Sequence, residues 1–226
     1  MLKMLRNKKT AKKIWIALGI IILPAFIFWG FSGAISDRKN QATLGVIAGK
    51  KISAEEFQNS LRAVKNRALI QYGDKLPEIE KDLDLEAQAL QRIILLWEAR
   101  KMKIKASDQE VINLIRAYPF FEHNGVFNER LYNEILKRFF KTPPREFEEE
   151  VRQGIIISKL YRKITQEVTL SEEELKNGYL EEKSAQDKKF RFNEKKFHAE
   201  KEEFRARLLR DKKQEAFLEY IAKILK

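Results

Sequence analysis

The sequence has no cysteine. A disulfide framework, a thiol nucleophile and thiolate metal ligation are therefore excluded. Histidine is almost as scarce, with only His123 and His198 present. They form no His-x-x-x-His or His-Glu-x-x-His pair, so a zinc site of ordinary spacing has no ligands. Glycine (9 residues) and proline (5 residues) are few among the 226. No Gly-x-Gly-x-x-Gly turn, Walker-type phosphate loop or Gly-x-Ser-x-Gly nucleophile elbow occurs. The acidic triplets Glu148-Glu149-Glu150 and Glu172-Glu173-Glu174 sit in helical patterns. Carboxylates there serve as solvated faces and as first-turn partners of the helix dipole. No catalytic residue, cofactor or metal is expected, and the chain is not read as an enzyme.

What is abundant is Lys, Glu, Leu, Ile and Ala, a composition that favours helix over sheet. With 44% hydrophobic residues the chain can bury a core and is not of disordered composition. Its formal charge is +12. A charge of that size suggests nucleic acid or anionic lipid, but its distribution argues against nucleic acid. Lys3, Arg6, Lys8, Lys9, Lys12 and Lys13, with no acid among them, supply about half the excess. Elsewhere Lys and Arg alternate with Glu at helical spacing, as solvated faces do.

One long hydrophobic run follows the basic tail of residues 1–13. Residues 14–35, "IWIALGIIILPAFIFWGFSGAI", carry no charge. A helix of about 20 residues crosses the hydrocarbon core, so the run predicts a transmembrane helix. Pro24 is tolerable in such a helix, and Trp15 and Trp29 lie near its two ends, where indole rings favour the interface. A cleaved signal peptide is the competing reading, with Ser32-Gly33-Ala34 as small residues at a cleavage point. Its apolar stretch would be only about 7–15 residues, so an uncleaved anchor is expected. The positive-inside rule keeps residues 1–13 cytoplasmic. The expected location is the bacterial inner membrane, single-pass, with the main domain periplasmic.

Beyond the anchor the pattern is helix after helix. Residues 44–53, "LGVIAGKKIS", read as a strand, a turn at Gly49-Lys50 and a helix start. Ser53 with Glu56, Ser107 with Glu110 and Ser171 with Glu174 have capping-box spacing. Phe57, Leu61, Val64 and Ala68 give the first helix one apolar face. Tyr72-Gly73-Asp74 ends it, and Leu76-Pro77 is expected to keep the connection out of helix. Residues 82–102 are apolar around much of a helix, which suits the centre of a bundle. Val111, Leu114 and Ile115 form the stripe of the next helix. Pro119 stops that pattern, Asn124-Gly125 supplies a tight reversal, and Asn128 caps a helix whose apolar face is Leu131, Ile135, Leu136, Phe139 and Phe140. Thr142-Pro143 begins a helix to about residue 166. Ser171 opens a short one to about residue 179. Residues 181–196 are the most polar segment and read as a linker. Residues 197–226 form a long amphipathic terminal helix that needs a packing partner.

These motifs, taken in order, resemble a known family. "VIAGKKISAEEF", "SDQEV", "PFFEHNGVFNERLY", "PPREFEEEVR" and "VTLSEEEL" are similar to the N-terminal chaperone domain of the SurA/PpiD group of bacterial periplasmic folding factors. The resemblance covers residues 44–180. It implies a mainly α, multi-helix SurA N-terminal-like chaperone domain (37–180), completed by the C-terminal helix (197–226) and preceded by one transmembrane helix. Relatives carry parvulin-type isomerase domains where this chain has only residues 181–196. The implied function is ATP-independent binding of unfolded or newly translocated polypeptides, periplasmic or outer-membrane proteins among them, without isomerase activity. The alternative is a membrane-tethered adaptor for one folded partner, such as a secretion-channel component or a separate isomerase. Phe127 and Tyr132 are assigned to the core. For Phe120, Phe121 and Phe140 core and surface readings both stand, and these three are the candidate client-binding residues.

Overall fold

Serine and asparagine side chains set where most helices of this chain begin. A computed structural model describes residues 43–47, 49–187 and 191–225. The order of elements is β1 (Thr43–Ile47), β2 (Lys50–Ser53), α1 (Ala54–Tyr72), α2 (Leu76–Ile79), α3 (Leu85–Lys101), α4 (Asp108–Arg116), β3 (Glu122–His123), β4 (Val126–Phe127), α5 (Glu129–Ile135), α6 (Pro144–Thr165), α7 (Glu172–Gln186) and α8 (Glu194–Ile224). The fold is mainly α, with two short antiparallel ribbons, β1–β2 and β3–β4. The chain divides into two compact units. Of the described residues, one unit holds those up to Trp97 and Asn128–Phe147; the other holds Glu98–Phe127 and those from Glu148 onward.

In the first unit Ile52 of β2 is fully buried. The hydroxyl of Ser53 then accepts from the Glu56 N–H at 3.1 Å and starts α1. Val64, Ala68, Leu85 and Ala89 form the buried centre between α1 and α3, with Phe57, Leu61, Tyr72, Leu76 and Leu83 packed against it. Burial of each large apolar side chain contributes about 1.5–3 kcal/mol. Polar groups at this seam are matched rather than excluded. The Ser60 hydroxyl donates to the Ala89 carbonyl at 2.7 Å, and the Trp97 indole N–H donates to the Glu56 carboxylate at 2.9 Å. Farther along α1, the buried Asn66 amide donates to the Thr142 hydroxyl at 3.1 Å, which donates to the Phe140 carbonyl at 2.9 Å. Tyr132 and Phe140 pack on Phe147 with ring centroids 6.2 and 5.2 Å away.

In the second unit the Ser107 capping box forms in both directions. Its Glu110 also meets Lys159 of α6 at 2.7 Å, while Arg152 of α6 reaches Asp108 at 2.8 Å and the Ala106 carbonyl at 3.1 Å. The Lys159 ammonium and the Ser107 N–H together hold the Glu110 carboxyl down at about 2. The α7–α8 pair repeats the scheme. Ser171 and Glu174 form a complete capping box, and Lys212, with that backbone N–H, holds Glu174 at about 2 as well. Leu175, Tyr179, Phe197 and Phe204 fill the seam. At Gly178 the helices approach so closely that an added Cβ would lie 2.9 Å from the tip of Leu208. Lys201 and Arg205 pair with Glu172, Arg207 with Glu182, and Lys183 with Glu200 along the sides. Toward its C-terminus α8 sets Phe217 edge-on to Tyr161, and its Tyr220 hydroxyl donates to Glu98 at 2.7 Å. Burial and that carboxylate push the Tyr220 phenol up to about 12.

Several expectations change. Residues 50–53 are a strand rather than part of a helix start, so the first motif is a hairpin turned at Gly49 (φ 75). Leu76-Pro77 begins a one-turn helix, because proline in a first turn loses no intrahelical donor. Thr142 does not cap α6; its hydroxyl is taken by Asn66 and Phe140, and the helix starts at Pro144. Helix α7 continues to Gln186 and α8 begins at Glu194, capped by Asn193. Residues 181–186 and 194–196 of the polar stretch are therefore helical, and their exposed charges lie on the outer faces of two helices.

The expected location in the bacterial inner membrane, single-pass, with the main domain periplasmic, is overturned. Among the described residues no helix is long and apolar enough to cross a membrane. Even α8, at 31 residues, is interrupted by Lys, Arg and Glu throughout, and a crossing needs about 20 predominantly apolar residues in succession. The run 14–35 expected as anchor, with Trp15, Pro24 and Trp29, lies outside the described residues.

Candidate functional site

The aromatic segment after α4 is built on a proline and a tight turn. Tyr118 precedes Pro119 and takes an extended conformation (φ −80, ψ 116), which ends the helix. Pro119–Phe121 then form one 3-10 turn. Asn124 (φ 55) and Gly125 (φ 74) reverse the chain, both in the left-handed region that a type I′ hairpin turn requires. Glu122 pairs with Phe127 and His123 with Val126. Successive residues of a strand face opposite ways. Phe127 accordingly lies beside Phe121 (6.4 Å between ring centroids), while Val126 points out at 68% exposure. Phe120 is half-buried, stacked on Tyr118 at 5.1 Å and edge-on to Phe121 at 4.5 Å. The Arg116 guanidinium stands 5.9 Å from the centre of Phe127. Ile112 and Leu114 of α4 are also open, whereas Val111 and Ile115 on the same helix are buried.

In the first unit the second aromatic segment is shaped by a change of helix type. Leu136–Phe140 continue α5 as a π-helical turn, closed where the Lys141 N–H bonds the Leu136 carbonyl. Lys141 adopts the left-handed conformation (φ 50, ψ 35) without being glycine. Leu136 and Phe140 are buried, and Phe139 between them is 65% exposed. Lys137, Arg138 and Lys141 beside it are all exposed.

The three phenylalanines singled out in the sequence therefore have different places. Phe121 is fully buried under Tyr118, Phe120 and Phe127, and Phe140 is 8% exposed against Phe147. Neither offers its ring to a ligand in the folded chain, because neighbouring rings occupy that surface. Phe120 keeps one side partly open. The segments hold Phe120 and Phe121 in one unit and Phe140 in the other. The open large apolar side chains among the described residues are Val126, Ile112, Leu114 and Phe192 in the second unit and Phe139 and Val46 in the first. Sequence reasoning passed over Val126, although strand alternation beside Asn124-Gly125 marks it as outward. Phe139 carried no such signal, since its spacing from Leu136 fits a buried helical stripe.

Comparisons with known proteins agree with this architecture. The SurA-like N-terminal domain family matches residues 1–161. Periplasmic chaperone PpiD of Escherichia coli K12 is 32% identical over 150 residues, covering 63% of this chain and 24% of that protein. Foldase protein PrsA of Clostridium botulinum strain Hall is 26% identical over 192 residues, covering 78% and 56%. Foldase protein PrsA of Caldanaerobacter subterraneus is 27% identical over 182 residues, covering 74% and 52%. This chain thus spans 24% of the PpiD relative's length and 56% of the first PrsA's. No solved structure matches it.

Proposed function

The chain belongs to the SurA-like N-terminal domain family, and from that premise we propose that it binds non-native polypeptide segments as a chaperone that uses no ATP. Its similarity to a chaperone and to foldases supports the reading. The observation that carries it is the set of open apolar side chains, Phe139 and Val46 in one unit and Val126, Ile112, Leu114 and Phe192 in the other. Phe139 stands among the exposed Lys137, Arg138 and Lys141, and Ile112 and Leu114 flank the exposed Asn113. A holdase needs accessible apolar contacts with a polar rim that keeps it soluble. Clients without a fixed sequence are better served by adaptable contacts than by one deep pocket. We further propose that these residues bind clients without isomerising proline bonds. Only residues 187–193 separate α7 from α8, within the stretch 181–196 where the family resemblance puts an isomerase domain in relatives.

The test is light scattering by an unrelated, chemically denatured protein diluted into buffer with the full chain at near-stoichiometric ratio and no nucleotide. Suppressed aggregation is expected. Absence of suppression, combined with tight binding to one folded partner, would establish an adaptor instead. Turnover of a prolyl test peptide above background would remove the second half of the proposal.

A further inference from the structure

We propose, resting on the polypeptide-binding reading above, that Phe139 with Lys137, Arg138 and Lys141 forms a docking point for acidic polypeptide segments that carry a bulky apolar side chain. Three observations meet at this point. The first is the helix type. Had α5 continued as an ordinary α-helix, Phe139 would lie about 60° from Leu136 around the axis, within the buried stripe. A π turn advances each residue by a smaller angle and carries Phe139 to roughly 115° from Leu136, while Phe140 returns to the buried side. The observed burial follows this geometry: Leu136 is 1% exposed, Phe140 8% and Phe139 65%.

The second observation is backbone strain. The turn is closed by Lys141 in the left-handed region, a conformation uncommon for a residue with a Cβ and shared here with Asp84, Lys103 and Asn124. π turns and left-handed non-glycine residues both concentrate at functional sites. Here they adjoin, and their joint product is an aromatic ring turned outward.

The third is charge. Phe139 is flanked by Lys137 and Arg138 on one side and Lys141 on the other. Glu134 is the acid at hand, 2.8 Å from Arg138. Among the described residues no ion pair engages Lys137 or Lys141. An apolar ring within a cationic rim complements a segment with the reverse arrangement, an apolar side chain among carboxylates. Attraction of that kind speeds encounter and is screened by salt. A basic or neutral apolar segment would meet the same ring without that help.

The experiment uses the full chain and two short fluorescein-labelled peptides, one of Asp and Leu, the other with Lys in place of Asp, read by fluorescence anisotropy at low and high salt. Preferential binding of the Asp peptide, weakened by salt, is expected. Phe139→Ser is expected to weaken it about tenfold, and Lys137→Glu with Lys141→Glu to weaken it by a similar factor and to remove the salt dependence. Since these side chains are exposed, unchanged circular dichroism should accompany both variants. Equal binding of the two peptides, no binding of either, or variants within about twofold of the parent would each overturn the proposal. Concentration-dependent self-association abolished by Phe139→Ser would assign the point to a second copy of the chain and overturn it too. Aggregation suppression is measured on the same variants. A parent that suppresses aggregation while Phe139→Ser does so equally well refutes only the docking point; a parent that does not suppress refutes the broader reading.

Discussion

Phe121→Ala is the substitution that most directly separates architecture from client contact. Phe121 is 0% exposed, with Phe120 at 4.5 Å, Tyr118 at 6.0 Å and Phe127 at 6.4 Å between ring centroids. Truncating a buried phenylalanine costs about 3–5 kcal/mol, as lost transfer free energy plus the cavity left behind. The upper part of that range is expected here. All three ring partners meet Phe121 edge-on, and such contacts contribute about 0.5–1.5 kcal/mol beyond area. Against a total stability of about 5–15 kcal/mol the loss is large. The measurement is urea unfolding followed by far-ultraviolet circular dichroism, with amide exchange at the Phe121 N–H, which bonds the Tyr118 carbonyl at 3.0 Å. With a slope of about 2 kcal/mol per molar urea, a 4 kcal/mol loss lowers the midpoint by about 2 M. A loss below about 1 kcal/mol would refute the packing argument. Reduced aggregation suppression with unchanged stability would refute it more deeply, because Phe121 would then be acting as client surface.

Gly125→Ala places a Cβ at φ 74 and should cost about 1–2 kcal/mol, read as faster exchange at the Glu122–Phe127 pair; unchanged exchange would mean that the turn does not need its left-handed residue. Ser107→Ala and Ser171→Ala should each cost about 0.5–2 kcal/mol through loss of the N-cap bond, measured by urea midpoint at neutral pH, and no shift in either would show the boxes to be ornamental. Glu110 and Glu174 lie at about 2, below the ordinary 4.5. Between those values the unfolded chain binds more protons than the folded one. Their contribution is complete above pH 4.5 and is lost as the pH falls through about 2. Unfolding midpoints measured down this window should therefore drop, and Glu110→Gln with Glu174→Gln should flatten the drop; an unaltered acid profile in the double variant would refute the assignment.

Much of this fold is written locally, and the parts that were not legible share a cause. Ser107 with Glu110 and Ser171 with Glu174 act within four residues of each other, so spacing alone located the starts of α4 and α7. Asn124-Gly125 and the proline at 119 act at similarly short range, and the aromatic reversal was read at the right place. The length of α7 was not. Its last turns pair across to α8, as Glu182 does with Arg207 and Lys183 with Glu200. Those partners are remote in sequence, and a charge-rich stretch looks the same in a linker and on a helix face. Thr142 was misread for the same reason, because its hydroxyl is claimed by Asn66 from 76 positions away.

Phe139 is the instructive case. A hydrophobic stripe is recognised by assuming one constant angle per residue, and the π turn breaks that assumption over five residues. Leu136 and Phe140 are both buried, the Phe140 ring against Phe147 and its carbonyl bonded to Thr142, and the wider turn between them leaves Phe139 on the open side. Phe139 is turned outward by the helix type at this point. An ordinary α-helical turn would put Phe139 about 60° to one side of Leu136 and Phe140 about 40° to the other, with both rings inside the buried stripe. Burial of Phe140 alone therefore does not call for the wider turn, and this is the reason the docking experiment is aimed at Phe139 rather than at the larger but sealed cluster around Phe121.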